Sequence, residues 1–89
     1  MNTINEIKTL LQSMNPQHLD IIDESHHHIA HHKNGGGHYS LTVVTDLFNN
    51  KSRIQRHRMV NEALASLFPE KIHALSIHTF TTTEYNAQL

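Results

Sequence analysis

Two segments of alternating apolar and polar residues, HYSLTVVTD at 38–46 and IHALSIHTF at 72–80, enclose a stretch with helical spacing, and that succession leaves few folds open. In the first segment Tyr39, Leu41 and Val43 alternate with Ser40, Thr42 and Val44, the period of a strand with one buried face. In the second, Leu75 and Ile77 share a side. Between them Ser52-x-x-Gln55 has the form of a capping box, and Ile54, Val60, Ala63, Leu64 and Leu67 make one stripe before Pro69. A helix over about 52–67 is predicted. A strand, helix, strand succession is normally a right-handed crossover, so these two strands should lie parallel.

The remaining elements fit around that unit. Thr3-Ile4-Asn5-Glu6 reads as a capping box, and Ile4, Ile7, Leu10, Leu11 and Met14 recur at helical spacing until Pro16, which predicts a helix over about 4–14. HLDIIDES supplies a short strand able to pair antiparallel with the next one. Residues 46–50 read as a turn, and Thr81-x-x-Glu84 opens a brief terminal helix. The order is α-β-β-α-β-α: an α+β fold with a three-stranded mixed sheet, helices packed on one face and the other face largely exposed. With 89 residues, the chain holds a single domain, 1–89, with a loop SHHHIAHHKNGGG at 25–37 as its one low-complexity stretch.

Composition narrows the function. Seven Lys+Arg against eight Asp+Glu give a formal charge of −1, without the basic excess that phosphate-backbone binding normally needs. There is no Cys, so thiolate metal chemistry must borrow sulfur from another molecule. No apolar run is long enough to span a bilayer, and the mixed-charge, amphipathic start is expected to be neither a signal peptide nor a membrane span. A cytoplasmic location is expected. Ten His residues are the unusual feature: their full protonation would raise the formal charge from −1 to +9. No serine sits in a nucleophile elbow, the glycine triplet lacks a phosphate-cradling pattern, and Asp23 and Glu24 face opposite ways in a strand. An enzyme is not expected.

Three constellations remain. The loop carries His26, His27, His28, His31 and His32, with His38 where the next strand opens; such clusters trap divalent metal, or simply form a solvated polar loop. By period-two parity His73 falls on the side of Leu75 and Ile77, whereas His78 falls with Ala74 and Ser76. An imidazole on an apolar face is more often a satisfied core residue than a ligand. Finally, KSRIQRHR at 51–58 holds Lys51, Arg53, Arg56, His57 and Arg58 with no acid among them. Cations in the first turn of a helix oppose its dipole and ask for an anion, from a partner or from Asp46 or Glu62.

Taken together, IIDES before the loop, HYSLTVVTD, the helix core Gln55-Arg56-His57-Arg58-Met59-Val60-Asn61 and the ending IHALSIHTFTTTEY resemble the BolA family over about Leu19 to Tyr85. The resemblance implies a KH-like fold and a partnership with monothiol glutaredoxins, in which one [2Fe–2S] cluster bridges the two proteins. It implies that the histidine opening the HAL motif, His73 here, is a cluster ligand. A second ligand comes from the loop, where members carry His or Cys; by distance from the DES motif the counterpart is His28, with His27, His31 and His32 able to substitute. Glutaredoxin and glutathione would supply the thiolates. Separately from the resemblance, the basic stretch is expected to dock an acidic surface of the partner. Alone, the chain should be a monomer or weak homodimer holding at most adventitious divalent metal. Two competing readings stay open: a DNA-binding regulator of stress response and cell morphology, and a histidine-loop metal-binding protein.

Overall fold

The computed structural model describes residues 2–25 and 37–88, and its first helix starts one residue earlier than the capping pattern suggests. Asn2 is the N-cap, its side-chain oxygen accepting the Asn5 amide at 2.8 Å; α1 spans Thr3–Leu11 and tightens into a 3-10 turn over Gln12–Met14. Asparagine caps at least as well as threonine. The shift leaves Glu6 to accept Lys71 Nζ at 2.7 Å, across a separation of 65 residues. Asn15, with φ of 49°, then turns the chain toward the sheet.

In that sheet β1 (His18–Asp23) pairs antiparallel with β2 (Gly37–Val44), and β2 pairs in parallel with β3 (Ile72–Phe80), placing β2 in the centre. The crossover from β2 to β3 runs through a 3-10 turn at Asp46–Phe48, α2 (Arg53–Ala63) and a further turn at Ala65–Leu67. A last helix, α3 (Thr82–Ala87), follows β3. Of the three capping boxes the sequence suggests, Ser52 with Gln55 and Thr81 with Glu84 are formed, whereas Asn2 replaces Thr3 as the cap of α1. The α-β-β-α-β-α order and the mixed three-stranded sheet are those the periodicities predict.

Register decides which side chains meet. Leu19, Val43 and Thr79 form one row, and Ile21, Leu41 and Ile77 the next, on the face that α1 and α2 cover. Ile7 and Leu11 from α1, Val60 from α2, Leu64 just past its end, and Leu41, Val43 and Ile72 are all fully buried there. Phe48, the largest fully buried side chain, comes from the segment read as a turn. Thr45 ties this end together, its Oγ1 donating to the Met14 carbonyl at 2.7 Å and accepting the Leu47 amide.

Ile54 does not join the stripe. It precedes Val60 by six positions, which at about 100° per residue places it roughly 120° away around α2, and it is 70% exposed. On the opposite face of the sheet, His18, Val44 and Phe80 share a row, and the Tyr85 ring of α3 stacks on His18 at 4.9 Å and tilts against Phe80. Val44, between His18 and Phe80 in that row, is closed from solvent. Among the described residues no helix is long and apolar enough to cross a membrane.

Candidate metal centre

The start of β3 is irregular, and the irregularity moves His73. Gly37 pairs with Ile72 and His38 with Ala74, so one step along β2 spans two residues of β3 and His73 is the extra one. A bulge of this kind re-aims a side chain and breaks the parity beyond it. Ile72 can then be fully buried in the same core as the partly buried Leu75 and Ile77, although it stands three residues from Leu75. The side expected for His73 by strict alternation is therefore wrong: its side chain is exposed. Its ring lies 5.3 Å from that of His38, centroid to centroid, with the planes inclined by 34°.

Backbone and side-chain hydrogen bonds fix His38 beside it. The His38 amide donates to Ser25 Oγ at 3.1 Å, the Glu24 amide donates to the His38 carbonyl at 2.8 Å, and the Ser25 amide donates to Asp23 Oδ1 at 2.8 Å. Gly37 bonds in turn to the Lys71 carbonyl at 3.1 Å. Two imidazoles thus stand at one end of the sheet on anchored backbone, the arrangement that lets nitrogen donors act without a large ordering cost.

Gly37 is required by close approach. A Cβ there would collide with Ser25 Oγ and stand 2.8 Å from Cε2 of the buried Tyr39 ring. Gly37→Ala is expected to destabilise the protein by about 1–3 kcal/mol, because either the ring or the serine must move. Urea denaturation checks this; an unchanged midpoint would contradict it.

The loop histidines His26, His27, His28, His31 and His32, including the His28 assignment, lie outside the described residues. Among the described residues no group of three or more His, Asp or Glu side chains could hold a metal ion. His38 and His73 are a pair.

The basic segment sits elsewhere, at the other end of β3. Lys51, Arg53 and Arg56 line a cleft of about 380 Å³ with Thr79, Phe80 and Glu84, so they stand six or seven residues along the strand from His73, roughly 20 Å. Arg56 is engaged within the fold. Its guanidinium donates to both Glu84 carboxylate oxygens, at 2.7 and 3.1 Å, its Nε donates to the Lys51 carbonyl, and it lies 5.7 Å from the centre of the Phe48 ring. The acid that answers the segment's charge is Glu84, not Asp46 or Glu62. Lys51, Arg53 and Arg58 are exposed, and His57 is half-buried.

The Arg56 guanidinium, helped by the Thr81 amide, holds the Glu84 carboxyl down to about 2 from an ordinary 4.5. A carboxyl lowered on folding stabilises the protein above its ordinary pKa and loses that contribution as pH falls toward the folded value. The docking of α3 should therefore weaken between about pH 4.5 and pH 2, followed through the Tyr85 ring resonances, and Arg56→Gln should move the Glu84 midpoint back toward 4.5. A Glu84 midpoint that stays put in Arg56→Gln would contradict the assignment.

Comparison with known proteins bears on this geometry. A family model described as BolA-like protein matches residues 10–84. A BolA-like protein of Dictyostelium discoideum is 42% identical over 83 residues, covering 91% of this chain and 72% of its own length. A Vibrio cholerae protein named DNA-binding transcriptional regulator BolA is 38% identical over 78 residues, covering 88% and 73%. Among solved structures, BolA1 from Arabidopsis thaliana superposes with a TM-score of 0.83 at 29% identity, over 94% of this chain and 96% of that one.

Proposed function

The chain belongs to the BolA family, and on that premise we propose that it is a non-enzymatic cytoplasmic adaptor that binds a monothiol glutaredoxin and gives histidine nitrogen to a [2Fe–2S] cluster the two proteins share. The observation that carries this reading is the exposure of His73, which the bulge at the start of β3 keeps out of the core. An imidazole enclosed among Leu75 and Ile77 could not reach a metal held on another molecule. An exposed one on a hydrogen-bonded strand can.

The donor chemistry fits. Iron in such clusters accepts thiolates, and in Rieske-type centres two histidines replace two cysteines on one iron and raise the potential. This chain has no Cys, so the glutaredoxin cysteine and glutathione are the natural sources of the thiolates. The cluster is cargo here. Its transfer would depend on His73 with, on the family's pattern, a loop histidine at His28 or its neighbours His27, His31 and His32. Lys51, Arg53 and Arg58 are exposed and available to an acidic partner surface, whereas Arg56 is committed to Glu84.

The test is to reconstitute iron and sulfide with a monothiol glutaredoxin and glutathione, with and without this chain, and to record visible circular dichroism. The reading predicts a new spectrum and a one-to-one complex. A spectrum identical to that of glutaredoxin alone would contradict it.

A DNA-binding regulator is the second reading, favoured by the name of the Vibrio cholerae relative and by the exposed Lys51, Arg53 and Arg58. It predicts affinity for a defined duplex that falls steeply with added salt. Salt-insensitive or absent binding would reject it.

A further inference from the structure

The family pattern takes its second ligand from the loop, yet the described histidine nearest to His73 is on the neighbouring strand. The geometry points to His38 and His73 as a two-imidazole site for one divalent transition-metal ion, held by this chain alone, with the ion's remaining positions open to water or an external thiolate.

Distance is the first support. Zinc binds imidazole nitrogen at about 2.0–2.1 Å, and two rings sharing one tetrahedral ion at that length have their centroids roughly 5 Å apart. The observed separation is 5.3 Å. Placement is the second. His38 lies second in β2 and His73 second in β3, two parallel, hydrogen-bonded strands, and the bulge turns the extra residue toward its neighbour instead of into the core. The third is access: His73 is exposed and His38 half-buried, so an ion can enter and keep coordination positions for other ligands. Two protein donors favour modest affinity and an open ion.

Such a site shares His73 with the function proposed above but needs neither glutaredoxin nor the loop, so the two can fail separately. The test uses the full chain with His26, His27, His28, His31 and His32 all changed to Ser, which removes competing imidazoles. Zinc is added, binding is followed by calorimetry, and the imidazole nitrogen resonances of His38 and His73 are recorded. The inference predicts one zinc per chain, shifts at both rings, and a loss of affinity of at least about tenfold in His38→Ala and in His73→Ala alike. His38→Gln, which retains a polar side chain, should lose affinity equally, and circular dichroism establishes that each variant is folded.

Zinc binding that ignores His38 while requiring His73 overturns the inference, as does no binding at all. If the zinc site is present but the mixed glutaredoxin complex forms no new cluster spectrum, the adaptor reading fails and the two-imidazole site stands.

Discussion

On the proposed adaptor function, His73→Ala is expected to abolish the cluster spectrum that distinguishes the mixed complex from glutaredoxin alone while leaving the fold intact. The side chain is exposed and stands at a bulge, outside the packed interior, so its removal creates no cavity and should change stability by no more than about 0.5 kcal/mol. As a proposed cluster ligand it should matter far more. Supporting groups around a metal typically contribute 10–100-fold to affinity, and a direct donor should contribute at least about that much. Titrating the cluster-loaded glutaredoxin with wild-type and variant chains measures the difference. Equal affinities and equal spectra would remove His73 from the site.

Phe48→Ala should have the largest effect on stability, about 3–5 kcal/mol. Phe48 is fully buried, belongs to the central cluster with Leu41, Val60 and Leu64, and lies beneath the Arg56 guanidinium that joins α2 to α3. A domain of this size has a total stability of about 5–15 kcal/mol, so the variant should melt at least about 10 °C lower or fail to fold. Ile54→Ala is the matched control. Its side chain is 70% exposed and should cost no more than about 0.5 kcal/mol. Similar losses in the two variants would contradict the core assignment.

The contrast between Phe48 and Ile54 also shows what could be read from the residues. Element order and strand pairing were legible because they follow from local period: Tyr39, Leu41 and Val43 mark a strand wherever the chain goes, and Ser52 with Gln55 marks a helix start. Phe48 was not, because a short turn carries no period, and its burial depends on how α2 crosses the sheet. A stripe that includes Ile54 is too wide for the surface that α2 covers.

The site followed the same division. The motif marks His73, but alternation alone puts it on the wrong side of the strand because parity cannot register a bulge. A signal for the pair did exist: a histidine near the opening of each of two strands expected to run parallel. Arg56 and Glu84 are 28 residues apart, and only the folded chain brings that acid to that base. The loop histidines, legible as a cluster, lie outside the described residues.

The central claim is that this chain donates imidazole nitrogen to iron whose sulfur belongs to another molecule. The direct measurement is pulsed electron–nuclear resonance on the one-electron-reduced mixed complex, with 15N-labelled histidine in this chain only. The account predicts strong 15N couplings from directly bound imidazole, diminished in His73→Ala. A reduced cluster in the mixed complex that shows no histidine nitrogen coupling would contradict it.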